Sequence, residues 1–230
     1  ELFAKVRAKA SRHAEHNPMA LFRKVVTEDE VLQSPMVFPA AKLTRLMACP
    51  PTCGAAAAVL VSESFARKRG LDARVSITAQ AMTTDTPDSF DERSMIKLVG
   101  AGMARTAADK VYAEAGIGPD DADVVELHDC FATAELVHYD NLGLCEPGGA
   151  VDLFESGATW RDGSMPVNVS GGLQSKGHPS AATGIANVFE VCHHLRGEAG
   201  DRQIDGARVG LAHVIGLGST CGIHILEKAA

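Results

Sequence analysis

The sequence predicts an α/β fold built on a largely parallel sheet, and three observations support this. Short β-branched apolar runs alternate with stretches whose apolar residues recur at helical spacing. Glycines and prolines punctuate the junctions between them. The last two apolar runs, Val209–His213 and Gly222–Leu226, flank a glycine turn and read as a closing β-hairpin. Alternation of this kind builds a sheet covered by helices.

Taken in order, residues 1–47 read as an irregular and helical connector. Helix-like residues from Phe3 to His16 lead there into a stretch broken by Pro35 and Pro39. Residues 54–62, rich in alanine and β-branched side chains, read as a buried strand, although periodicity alone also allows a helix. Ser62–Arg69 reads as a short helix stopped by Gly70. Arg74–Gln80 is the next strand, followed by a polar loop from Thr83 to Asp91. Ile96, Val99, Met103, Ala107 and Val111 then mark one helix face, closed by Gly116. Asp123–His128 reads as a strand, Phe131–Leu142 as a helix, Gly143–Asp162 as a loop and Ala181–Leu195 as a helix. No short-period repeat is visible. The run at 54–62 has no earlier strand in the chain to pair with.

Composition narrows the function. The 230 residues suffice for a substantial core, and 46% hydrophobic with 22% charged residues is ordinary for a soluble globular protein. A net charge of −7 without a compensating basic stripe argues against nucleic-acid binding. No apolar run reaches the length of a membrane span, and no signal peptide is visible. The first residue is Glu1 rather than Met, so an upstream portion is expected. Six scattered cysteines fit a reducing cytoplasm, and the C-terminal Glu-Lys-Ala-Ala is not a Ser-Lys-Leu peroxisomal address.

The segment with most chemical content is 168–184. It places His178 between Gly177 and Pro179, just before a small-residue helix start, with further glycines at 171, 172 and 184. Glycines let backbone approach a ligand, and a helix N-terminus disfavours an imidazolium, so His178 is suited to stabilising an oxyanion. A loop histidine that merely caps its turn would read the same way. His128-Asp129-Cys130-Phe131 falls where a strand's carboxyl end turns into a helix, the edge at which open α/β sheets bind ligands. Cys130 in the first turn of that helix is expected to have a stabilised thiolate and to serve as nucleophile or proton shuttle; a small buried hydrophobe is an equal alternative. Gly216 and Gly218 close another strand, where free backbone N–H groups can form an oxyanion hole, although most such pairs only make a turn. Cys49 and Cys53 lack a second ligand pair at zinc-site spacing, so no metal is expected. Cys145, Cys192 and Cys221 read as packing residues, and the His193–His194 pair as a solvated helix face. His13, His16, His138 and His224 show no partner pattern.

Together, Gly177-His178-Pro179, His128-Asp-Cys-Phe131 and His213-Val-Ile-Gly-Leu-Gly218 resemble the thiolase superfamily, most closely its sterol carrier protein x type. The likeness extends to Cys49–Ala58 and to Leu195–Gly200, and so covers nearly the whole chain. It implies a fold of two similar α/β halves in five αβαβα layers. The chain would comprise a connector (1–47), the end of the first half with its last strand (48–72), and a C-terminal βαβαβαββ half (73–230). The half bearing the nucleophilic cysteine would lie upstream or on a separate polypeptide. By the same resemblance His178 is the oxyanion-hole residue for a thioester carbonyl. His128 takes the place of the asparagine of Asn-Glu-Ala-Phe that holds the oxyanion-hole water. Cys130 replaces the usual second cysteine as acid/base, since Val214-Ile-Gly216 stands where Cys-x-Gly is usual. The backbone of Gly216 would serve the second oxyanion hole. Ser180-Ala181-Ala182 departs from the family's Gly-His-Pro-x-Gly-Ala-Thr-Gly by alanine for glycine.

The implied activity is acyl-CoA C-acyltransfer of the 3-ketoacyl-CoA thiolase type, in lipid or sterol side-chain metabolism. No bound cofactor is implied; a coenzyme A thioester is the substrate. The alternatives are a retro-aldol lyase on steroid side-chain CoA thioesters, against which Cys130 counts, and a non-catalytic lipid-transfer or scaffold subunit. A homodimer or a hetero-complex with a partner subunit is implied under each.

Overall fold

The computed structural model describes residues 1–90, 93–216 and 220–229. Asp91 at the end of the expected polar loop, and Leu217, Gly218 and Ser219 of the expected glycine turn, lie outside the described residues.

Helix α1 (Leu2–Glu15) buries not only Ala4, Val6 and Ala10 but also Lys9. Its ammonium pairs with the fully buried Glu135 and reaches the Tyr139 hydroxyl and the Thr159 carbonyl, so the burial of two charges is matched by partners. Helix α2 (Glu28–Gln33) starts with a capping box between Thr27 and Glu30, and strands β1 (Met36–Phe38) and β2 (Leu43–Thr44) form a small antiparallel pair. Residues 54–62 carry no strand: Val59 is 92% exposed and Leu60 74%. The expected strand fails because its ladder needs a neighbour, and among the described residues no strand lies alongside. Helix α3 (Glu63–Arg69) follows, capped by Ser62 and ended by a left-handed Gly70, as the sequence predicts.

The main sheet uses β3 (Val75–Thr83), β4 (Val124–Glu126), β5 (Val209–Gly216) and β6 (Thr220–Lys228), in the order β3-β6-β5-β4. Only β4 and β5 are parallel, while β6 pairs antiparallel with both β3 and β5. The expected parallel sheet is therefore corrected to a mixed one, because the β5–β6 hairpin inserts its second strand next to β3. The βαβαβαββ expectation also loses a strand: the position beyond β4 is held by one bridge, Val125 to Val167.

Alternation along these strands builds two cores. Val125, Leu211 and Ile225 face one way, against Met103, Ala104, Ala107 and Val111 of the 101–115 helix and Leu136. Val124, Ala212 and Leu226 face the other way, against Val191 and Leu195. The domain is thus a sheet between two helical layers. The first layer contains α4 (Met95–Leu98) and α5 (Ala101–Ala115), which divide the expected 96–115 helix at Gly100, whose φ of 91° no helix accommodates. Helix α6 (Ala132–Asn141) belongs to the same core. The expected loop at 143–162 contains α7 (Ala150–Glu155), and a single turn, α8 (Gly172–Ser175), precedes α9 (Thr183–Arg196) on the opposite face. No described helix is long and apolar enough to cross a membrane.

Candidate active site

Strands β4 and β5 run parallel and leave the sheet at one edge, with Glu126 in register with Ala212. The residues that follow Glu126 and those that end β5 are therefore neighbours in space. The backbone N–H of His128 donates to Nδ1 of His213 at 3.3 Å. Gly216 ends β5 at this edge, exposed and opposite Thr220 in the ladder.

The glycine-rich loop is clamped onto the end of β4 residue by residue. Asn168 adopts φ 54°, which asparagine tolerates, and its Oδ1 accepts the Leu127 N–H at 2.8 Å. Ser170 donates its N–H and hydroxyl to the buried Glu126 carboxylate at 3.0 and 2.6 Å. Asp129 accepts the Leu173 N–H at 2.7 Å and the Gln174 amide at 3.1 Å. Gly172 is required here, since a Cβ would fall onto the Asp129 carboxylate and φ is 57°. These bonds hold His128 and Cys130 in fixed relation to the loop that carries His178.

The segment 48–52 completes the arrangement. Ala48 pairs antiparallel with Phe131, and Cys49 donates its N–H to the Cys130 carbonyl at 2.8 Å. Two residues on, Pro51 pairs with His178, whose N–H donates to the Thr52 hydroxyl oxygen at 2.8 Å. His128 and His178 meet edge to face, with ring centroids 4.9 Å apart and planes at 87°. A second histidine contact lies behind them, His138 to His213 at 4.5 Å. The sequence motifs thus bring His128, Cys130 and His178 together, with Gly216 at the same edge. Thr52, Asp129, Asn168, Thr183 and His213 complete the site; they lie within the quoted motifs, where no role was assigned to them.

Electrostatics correct one expectation. Cys130 was expected as a stabilised thiolate in the first helical turn. Helix α6 begins only at Ala132, with Phe131 as its N-cap, so Cys130 sits outside the turn whose N–H groups would stabilise it. Burial, with added repulsion from Cys49 and Asp129, pushes its thiol up to about 12, so it rests protonated. Burial draws His128 down to about 3, with His178 and His138 adding to the effect. His178, half-buried and near Lys176, is also lowered, so both rings are neutral at pH 7. Asp129 is pushed up to about 8 by burial and by Glu135.

Two further histidines depart from the sequence reading. His194 is buried rather than solvated, and its Nδ1 accepts the Ile204 N–H at 3.1 Å. His13 is also buried and fully partnered.

Residues 87–228 match the family described as thiolase C-terminal domain-like. The chain is 49% identical over 219 residues to sterol carrier protein 2 of Homo sapiens, which covers 95% of this chain and 40% of that protein. It is 39% identical over 217 residues to an acetyl-CoA acetyltransferase of Methanothermobacter thermautotrophicus, covering 94% of this chain and 55% of that protein. Among solved structures, the Ltp2-ChsH2(DUF35) aldolase superposes with a TM-score of 0.80 at 22% identity, covering 98% of this chain and 58% of that one. The chain therefore spans only about half the length of these relatives.

Proposed function

The chain belongs to the thiolase family, and on that premise we propose that it forms the acid/base and oxyanion half of an acyl-CoA C-acyltransferase of the 3-ketoacyl-CoA thiolase type. Its setting is lipid or sterol side-chain metabolism in a reducing cytoplasm. The nucleophilic cysteine comes from a first thiolase half, either upstream in the same polypeptide or on a partner subunit. Residues 48–72 are the end of that half, which accounts for the exposed apolar run at 54–62.

The observation that carries this reading is the perpendicular His128–His178 pair beside a protonated Cys130. In thiolysis the nucleophilic sulfur attacks the 3-keto carbon of the substrate, and the C2–C3 bond breaks with its electron pair on C2. Cys130 gives its proton to C2, releasing acetyl-CoA and leaving an acyl-enzyme. The Cys130 thiolate then takes the proton of an incoming coenzyme A thiol, whose sulfur attacks the acyl group. A thiol near 12 rests in the form the first step uses and, once ionised, is a strong enough base for the second. His178 donates to the developing thioester oxyanion, His128 helps to hold the water that donates beside it, and Gly216 N–H serves the second oxyanion. No resident cofactor is invoked.

A retro-aldol lyase is the second reading, and the fold likeness to an aldolase complex favours it. That likeness also favours a hetero-complex over a homodimer. The test is to combine the chain with a half that bears the nucleophilic cysteine and assay short- and long-chain 3-ketoacyl-CoAs with coenzyme A. Cys130→Ala should reduce thiolysis by about 10²–10⁴-fold, the range of a lost general acid, with circular dichroism unchanged. Wild-type-like thiolysis in that variant overturns the assignment. C–C cleavage without consumption of coenzyme A establishes the lyase, and an absence of both leaves the non-catalytic subunit.

A further inference from the structure

A neutral histidine donates from one ring nitrogen only, so its use as an oxyanion donor depends on where the proton sits. Nδ1 of His178 lies 2.7 Å from the Thr183 hydroxyl oxygen, and Thr183 is buried at 1% exposure in the first turn of α9. That hydroxyl has one proton and two acceptors in reach, the other being the Pro179 carbonyl at 3.0 Å. The Pro179 carbonyl already accepts the Ala182 N–H at 2.8 Å and the Thr183 N–H at 3.0 Å, which occupy both its lone pairs. The shorter contact to Nδ1 is therefore the one that the hydroxyl proton serves.

We propose that Thr183 is a positioning residue that donates to Nδ1 of His178 and so holds the neutral ring as the Nε2–H tautomer, aimed into the site as a hydrogen-bond donor. Thr52 fixes the same residue from the other side by accepting its backbone N–H. Thr183 touches no reacting atom and acts only through His178. The kinetic consequence rests on the reading of His178 as an oxyanion donor; the tautomer does not.

Selective ¹⁵N-histidine labelling and long-range ¹H–¹⁵N correlation spectra of the chain test the tautomer directly. His178→Gln identifies the ring's signals. In the wild type Nδ1 should show the unprotonated, pyridine-type shift and Nε2 the protonated one. Thr183→Val, which keeps the shape and removes the hydroxyl, should mix the tautomers, and Thr183→Ser should restore the wild-type pattern; Thr183→Ala serves if Val does not fold. A protonated Nδ1 in the wild type, or an unchanged pattern in the hydroxyl-free variant, overturns the proposal. In the complemented assay, Thr183→Val should lower kcat about fivefold at similar KM, the factor matching one net hydrogen bond. An unchanged kcat with a lost tautomer overturns the positioning role. A wild type inactive on every acyl-CoA overturns the function instead, with the spectra still deciding the tautomer.

Discussion

His13 packs against the glycine-rich loop and His178 is carried by it, and they differ in what is left over. Nδ1 of His13 donates to the Asn168 carbonyl at 3.0 Å, and its Nε2 accepts the Arg161 N–H at 3.2 Å. Its ring stands edge-on to Trp160. Both nitrogens are consumed, so His13 fastens α1 and the 157–163 turn to the loop and has nothing to offer a ligand. His178 ends the same loop with Nδ1 engaged by Thr183 and Nε2 unclaimed by any described residue. A histidine whose surroundings satisfy one nitrogen and open the other is prepared for chemistry. Burial alone does not mark it, since the structural residue is the more buried of the two.

The sharpest way to break that contrast is to remove each ring. His178→Ala should lower kcat in the complemented assay by about 10²–10³-fold, as for an oxyanion donor, while thermal unfolding stays near wild type. His13→Ala should do the reverse. The half-buried Arg161 N–H loses its partner and the Asn168 carbonyl keeps only the Gly171 N–H, and stability should fall by about 1–3 kcal/mol, measured by urea denaturation. Turnover per folded molecule should remain close to wild type. Equal kinetic losses in the two variants would show that both histidines merely hold the loop.

The role of His13 was not legible in the sequence, because its partners Asn168 and Arg161 lie far along the chain, whereas the oxyanion role of His178 was read from its Gly-His-Pro turn. Periodicity did reveal β3, α5, α9 and the closing hairpin, whose apolar faces are set by local spacing. It could not place residues 54–62, where an apolar run becomes a strand only beside another strand. It also implied a parallel sheet, because helix–strand alternation does not say where a hairpin's second strand inserts. Motifs marked His128, Cys130 and His178. The expected thiolate at Cys130 failed by two residues of helix boundary, since a cysteine outside the N-cap gains burial without the dipole. The Asp129 and Asn168 clamps span about forty residues of sequence and leave no local signature.

The contrast extends to pH. Burial holds His13 and His128 at about 3, and His138 and His194 at about 4, against 6.5 for the free side chain. These are depressed values, so their neutral forms cost nothing above pH 6.5, and stability is lost as pH falls from there toward the folded values. Each adds a slope of up to about 1.4 kcal/mol per pH unit, because the unfolded chain binds a proton that the folded one refuses. Asp129, raised to about 8, and Glu126, also raised by burial, act in the opposite sense. Around pH 5 Asp129 keeps a proton that the unfolded chain releases. The lowered histidines, the fully buried His213 among them, outnumber the two raised carboxyls, so the net effect near pH 5 is a loss of stability as pH falls. Urea unfolding between pH 7 and 5 should show this fall. His138→Phe, which removes one buried ring titration without touching the loop, should flatten it by about 1.4 kcal/mol per pH unit. His178→Gln should flatten it less, because a half-buried ring is less strongly held neutral. If the two substitutions flatten the profile equally, His178 is as closed to solvent as the structural histidines, and the distinction between them fails.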